Sequence, residues 1–323
     1  MVRADLPRAI AIGTRMLTLA EQEGSRDKIL QAHRIQGLAR LLTGDHDKAG
    51  WHYGEVLRRY DPVAHDSHRF RYGSDPAAVV RAQWAWSDCI RGNFARSERN
   101  ASEGALHARK LDHAHSIVHA VGVDALRLLT AREFARSAAA VDEARAQAEK
   151  HEFPYWIAWC NIIAAAIQRP ADPGHALELL SPAIDGYRRT GVRQLVPYAL
   201  ALEAECCLDL DRPHDAMRVL DEALALTGET GVVLYAAELL RLRACAAHRM
   251  NRNHRDADLE RSLALARNQG AELFSLRALA TVLEYSHSRQ TRDQVKREIG
   301  EVLAERNENT DTAELRGLRR LMS

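Results

Sequence analysis

The chain reads as all-α, a right-handed solenoid of about seven helical pairs closed by a C-terminal cap helix. Three observations predict this. A small or short residue returns once per unit in the second helix. Val56, Gly104, Ala144, Ala183, Ala223, Ser262 and Gly300 stand about 38 to 40 residues apart, with a single longer interval of about 48. Helix–polar turn–helix units at such a period mark stacked repeats, each of which buries its apolar face only against its neighbours. The third observation is that no run alternates apolar and polar between turns, so no sheet is expected.

The elements follow in order. A helix from about Pro7 to Ala20 forms a partial unit. The first full unit places Ala32, Gly37, Leu41 and Leu42 on one helix, turns at Gly44-Asp45, and continues through Ala49, Tyr53 and Val56 to Tyr60-Asp61-Pro62. Glycine tolerates the left-handed turn, aspartate caps the next helix, and proline ends it. Gly37 and Ala49 let the two helices approach closely, as tetratricopeptide repeats do. Later turns are expected at Gly92-Asn93-Phe94, Arg132-Glu133-Phe134, Pro170 to Gly174, Asp211-Arg212-Pro213, Asn251-Arg252-Asn253 and Arg289-Gln290-Thr291. Units are separated at Gly24, Gly73, Gly122, Pro154, Gly191, Gly231 and Gly270. Thr312 to Met322 carries Leu315, Leu318 and Leu321 on one face, with Arg316, Arg319 and Arg320 on the wet side, and is the expected cap. The long interval comes from His65 to Pro76, a stretch rich in histidine, arginine and aromatics. Long loops in regular arrays are often functional, or simply cover a groove edge.

Composition narrows the function. Hydrophobic residues at 46% and charged residues at 28% describe a globular protein. The 45 basic and 44 acidic side chains nearly cancel. A polyanion-binding surface is therefore not expected, because nucleic-acid affinity rests on phosphate neutralisation. The five cysteines, Cys89, Cys160, Cys206, Cys207 and Cys245, lie in helical apolar patterns and read as reduced core thiols, with only one of the adjacent pair facing inward. No signal peptide is visible, since Arg8 and Arg15 interrupt the N-terminal stretch, and the longest apolar run, Ile157 to Ile167, is too short for a bilayer. A cytoplasmic location with no membrane partner is expected.

The run Tyr60-Asp61-Pro62, His65, Phe70, Tyr72-Gly73 and Asp75-Pro76 resembles the C-terminal tetratricopeptide-like region of a bacterial multidomain signalling family. Asp211-Arg212-Pro213 with Ala216, Ala237 to Arg243, Ala264 to Ala271, Leu276-Arg277-Ala278 and Asp311 to Leu315 are similar to it as well, in the same order. Members of that family carry a winged-helix or nucleotide cyclase domain, an AAA-type NTPase and then the helical array. The resemblance implies a regulatory role. NTPase or cyclase activity is not carried over. No Gly-x4-Gly-Lys is present and no glycine precedes a lysine, so the amides and cation that cradle phosphates are missing. The chain is read as one solenoid domain, residues 1–323, without a catalytic domain, either cut from a longer protein or standing alone.

No chemical motif stands out. His-Glu-x-x-His, Cys-x-x-Cys and Gly-x-Ser-x-Gly are absent. His113, His115 and His119 share an early helical stretch but lack a completing shell, and read as solvated; no metal, cofactor or catalytic residue is expected. The candidate ligand groove is the concave face of first helices. Trp84, Trp86, Trp156 and Trp159 could serve there as aromatic anchors, and Arg81, Arg193 and Arg241 as clamps for a carboxylate or phosphate. The function expected is non-catalytic recognition of a peptide or protein. A small-molecule effector sensor and a self-pairing homodimeric scaffold are the alternatives.

Overall fold

The computed structural model describes residues 5–251, 255–304 and 312–322. Among them every regular element is a helix. The first, α1 (Leu6–Gln22), leads into α2 (Arg26–Leu42) paired with α3 (His46–Arg59). A single turn, α4 (His68–Arg71), lies in the long connection that follows. The next pairs are α5 (Pro76–Ile90) with α6 (Phe94–Lys110), α7 (Ala114–Thr130) with α8 (Phe134–Lys150), and α9 (Pro154–Gln168) with α10 (Pro173–Arg189). Then come α11 (Val196–Asp209) with α12 (Pro213–Thr230), α13 (Ala236–Arg249) with α14 (Arg255–Gln269), and α15 (Glu272–Tyr285) with α16 (Arg289–Ala304). The last, α17 (Ala313–Met322), stands where the cap was expected. Arg252, Asn253 and Asp311 lie outside the described residues.

Local chemistry sets the boundaries. Asp45, Asp75 and Asp172 accept hydrogen bonds from the backbone N–H groups of Lys48, Ala78 and His175 at 3.2, 2.8 and 2.9 Å, capping α3, α5 and α10. In five of the pairs the turn between the two helices contains one left-handed residue: Gly44, Gly92, Arg132, Asp211 and Asn251. Between units the same conformation falls on Gly24, Gly73, Asp112, Glu152, Gly191, Gly231 and Gly270. One expected separator is therefore corrected. Gly122 lies inside α7, where it makes room for the Trp156 ring, and the boundary falls at Asp112. Pro154 does mark its boundary, opening α9 two residues after the turn at Glu152.

The two helices of a unit differ in environment. First helices are enclosed: α5 buries thirteen of its fifteen residues. Second helices bury a stripe: α8 buries only Ser137, Val141, Ala144 and Ala148. The recurring residues from Val56 to Ser262 belong to that stripe, while Gly300 is half-buried and faces Met322 of α17. Ser97, Ser137 and Ser262 add a hydrogen bond from Oγ to a carbonyl of the first helix at 2.7 to 2.8 Å. Enclosure also explains the adjacent cysteines. Cys206 and Cys207 are both buried, against the expectation that one would face outward, because α11 is covered on all sides.

The array then winds back on itself. The N–H groups of Val233 and Leu234, ahead of α13, donate to the carbonyl of Leu42 at the end of α2, at 3.0 and 3.1 Å. Gln269, closing α14, packs against Gly44. Trp86 on α5 donates from Nε1 to the Tyr235 hydroxyl at 2.9 Å. The sixth pair thus meets the first, and the inner face of the array is filled rather than open.

Close approach within a unit gives a direct test. A Cβ on Gly37 would lie 2.7 Å from Cδ1 of the fully buried Tyr53 ring and nearer still to Cε1. Gly37→Ala should cost about 1–3 kcal/mol in urea unfolding. Gly228→Ala, where nothing lies within 4 Å, should gain roughly 0.5–1 kcal/mol.

Candidate ligand site on the superhelical axis

Charge gathers where first helices converge. On α13, Glu238 and Arg241 are one turn apart and form a two-pronged pair, Nε to Oε2 at 2.9 Å and Nη2 to Oε1 at 2.8 Å. Arg241 also donates to Thr281 Oγ1 at 3.3 Å. Arg277 on α15 reaches three ways. It donates to Glu238 at 3.1 Å, to the Thr130 carbonyl ending α7 at 2.6 Å, and to both oxygens of Glu314 at 2.9 and 3.0 Å. Arg132 in the α7–α8 turn contacts the same Glu314 carboxylate at 3.0 Å and Glu205 at 3.6 Å. Arg169 joins through Glu205 at 3.7 Å. One carboxylate on the short α17 is therefore gripped by two arginines from distant repeats.

Burial would raise the Glu238 carboxyl, but Arg241 and Arg277 override it and hold it down at about 2. Burial and the opposing Arg277 and Arg132 act the same way on Glu314, whose carboxyl lies below its ordinary value. Burial would lower the guanidinium groups, yet Glu238 raises Arg241, and Glu314 with Glu238 raises Arg277. All stay charged at neutral pH.

Two cavities share Arg132, Phe134 and Arg277. The inner one, about 30 Å³ between Leu129, Tyr198, Tyr235 and Glu238, has room for about one water. The outer one is a mouth of about 600 Å³, bounded by Arg241, Thr281 and Glu284 on one side and by Glu314, Leu318 and Leu321 of α17 on the other.

The residues singled out from the sequence reach separate places. Only Arg241 borders the mouth. Trp86 is buried against Tyr235. Trp84 lies in the seam between α3 and α5, over Gly50 and Gly54, with Arg96 5.6 Å from its ring. Trp156 and Trp159 are buried in the seam between α9 and α7, donating to His115 Nε2 at 3.1 Å and to the Gly122 carbonyl at 2.9 Å. Arg81 pairs with Glu103 across α5 and α6. Arg193 sits in the loop before α11 rather than on a helix, paired with Glu229 at 2.6 Å. His113, His115 and His119 are half-buried in hydrogen bonds to Ser116, Trp156 and Gln83, not solvated. Arg132, Arg277 and Glu314 were not singled out. Their repeat positions were legible, but their meeting depends on the winding of the whole array.

No family model and no curated protein matches the chain. Among solved structures it is similar to a Rap protein complexed with competence and sporulation factor. The TM-score is 0.54 at 13% identity, over 99% of this chain and 93% of that chain. The fold is a tetratricopeptide-like α-solenoid. No helix among the described residues is long and apolar enough to cross a membrane. The five cysteines are free and buried, and burial pushes the Cys89, Cys160 and Cys206 thiols up to about 12, leaving them unreactive.

The cluster predicts an acid-sensitive fold. The Glu238 carboxyl titrates lower in the folded chain than its ordinary value of 4.5, so on acidification the unfolded chain takes up the proton first. Its contribution is complete above about pH 5 and is lost between 4.5 and about 2, a change on the order of 3 kcal/mol. Denaturant unfolding at stepped pH should show this slope, and Glu238→Gln should flatten it while lowering stability at pH 7 by about 3–5 kcal/mol.

Proposed function

We propose that the chain is a non-catalytic regulatory binding module, a single solenoid unit whose ligand is a carboxylate-bearing peptide or protein segment taken at the axial mouth. The observation that carries this reading is the grip of Arg132 and Arg277 on Glu314. Paired guanidinium groups around one carboxylate form a recognition site for that group. Here the carboxylate arrives on a ten-residue helix that also lines the mouth with Leu318 and Leu321. Support comes from a protein of like fold having been solved with a bound factor. A ligand acid in place of Glu314 would displace α17 and repack the mouth, and the difference in affinity between the two arrangements would set the signal. The resemblance to multidomain signalling proteins supports an NTPase or DNA-binding domain as the output in such a protein, in the cytoplasm of a bacterium.

A mouth of about 600 Å³ also falls in the range of small-molecule sites, so a small organic acid is the second reading. The same residues would hold it.

Isothermal titration of the full chain with a panel of acidic and amidated peptides, and with small carboxylates, tests both. Glu314→Gln should tighten binding of an acidic ligand, because the internal competitor is weakened. Arg277→Ala or Arg132→Ala should weaken it by about 2–5 kcal/mol. If acidic ligands bind no better than their amides, or if Glu314→Gln leaves affinity unchanged, the reading fails.

A further inference from the structure

The long connection between α3 and α5 interrupts the repeat, and nothing in the axial site uses it. It is fastened to the start of α2 by two imidazoles that share one carboxylate. His65 and His68, one helical turn apart, point Nε2 toward Asp27 in the first turn of α2, at 3.7 Å from Oδ1 and 3.3 Å from Oδ2. The three donor atoms all lie within 4.8 Å of one another. Both histidines are almost wholly buried, and Asp27 is about two-fifths exposed.

The hydrogen bonding around the rings is arranged from behind. His65 Nδ1 lies 2.9 Å from the backbone N–H of Asp61 and 3.0 Å from its carbonyl oxygen, and in the tautomer that donates to the carbonyl the Nε2 lone pair faces Asp27. His68 Nδ1 lies 3.1 Å from the Gln31 side-chain amide. The amide nitrogen faces that ring nitrogen here, and a half-turn of the Gln31 amide would present its oxygen to an Nδ1–H instead. His68 Nε2 itself is sealed from solvent and makes no hydrogen bond of acceptable geometry, despite the nearby carboxylate. A ring nitrogen sealed from solvent 3.3 Å from a carboxylate, with its other nitrogen against a side-chain amide, matches the arrangement of a metal-ligating histidine and its supporting partner.

We propose that Asp27, His65 and His68 bind a divalent transition-metal ion of the zinc class, with water completing the shell on the exposed Asp27 side. Two nitrogens and one carboxylate oxygen suit such an ion. Donors around a tetrahedral zinc stand about 3.3 Å apart, so the His68–Asp27 separation already fits, while His65, 3.7 Å from the other carboxylate oxygen, must move inward to complete the set. Arg71, 3.9 Å from Asp27 and largely exposed, is the competing cation and can swing away. The bound ion would clamp the irregular connection onto α2, across a break that the repeat itself does not span.

The test uses the full chain, treated with chelator and then titrated with Zn²⁺ by calorimetry and with Co²⁺ by visible absorption. One equivalent of either ion should bind, with a rise in melting temperature. Asp27→Asn and His65→Ala should each weaken binding at least about tenfold, and Gln31→Leu by about 10–100-fold through loss of the supporting contact. Asp27→Asn keeps shape at a half-exposed site, so the test does not depend on whether the fully buried His68 tolerates replacement. Absence of binding, or binding that survives Asp27→Asn and His65→Ala, would overturn the assignment, the other histidines then being the source.

Discussion

The Glu238–Arg241–Arg277–Glu314 cluster is the interaction on which the arrangement of this molecule depends. An array that winds until its sixth pair touches its first must fill its own axis, and here the axis contains charge. Isolated, each of these groups would be strongly disfavoured in a dry interior. Together they satisfy one another, and Arg277 ties α15 to α13, to the end of α7 and to α17 at once. Buried ion clusters are weak sources of net stability compared with apolar packing, but a mismatched register would leave a charge unpaired. The cluster therefore acts on which winding is adopted more than on how strongly the chain folds. The apolar core, continuous from Leu6 to Leu318, supplies the bulk of the driving force.

The repeat architecture was legible because it is local. Gly44-Asp45 encodes a left-handed residue and a cap within two positions, Pro213 opens α12 where expected, and the stripe from Val56 to Ser262 records helix–helix approach at a fixed register. One separator was misplaced where chemistry pointed elsewhere. Gly122 serves the Trp156 ring, and charged Asp112 and Glu152 adopt the left-handed turn that glycine would suggest.

The candidate site was much less legible. Helical periodicity separates inner from outer positions within a unit, and it drew attention to the tryptophans. It carries no information on how far the superhelix turns per repeat. That rotation decides that Trp86 finds Tyr235 and that Arg132 and Arg277 converge on Glu314, so that an expected open groove is a packed axis with a mouth at one end. Arg241 was singled out as a clamp for an external anion, and its first partner is Glu238 on its own helix. The His65 to Pro76 stretch stood out by its length and composition, but its meeting with Asp27 returns it to the start of α2 across the whole of α3 and has no trace in local pattern.

The bond between Trp86 and Tyr235, 149 residues apart, has a consequence for how the chain unfolds. An open repeat array behaves as a one-dimensional row, in which end units fray and the middle survives. Once the row is joined to itself, the first units cannot leave without stripping the face of the sixth. Fraying is replaced by all-or-none loss, and folding must wait for a contact between segments far apart along the chain, which slows it. A protein assembled from nearly independent pieces thereby acquires the cooperativity of a single globule.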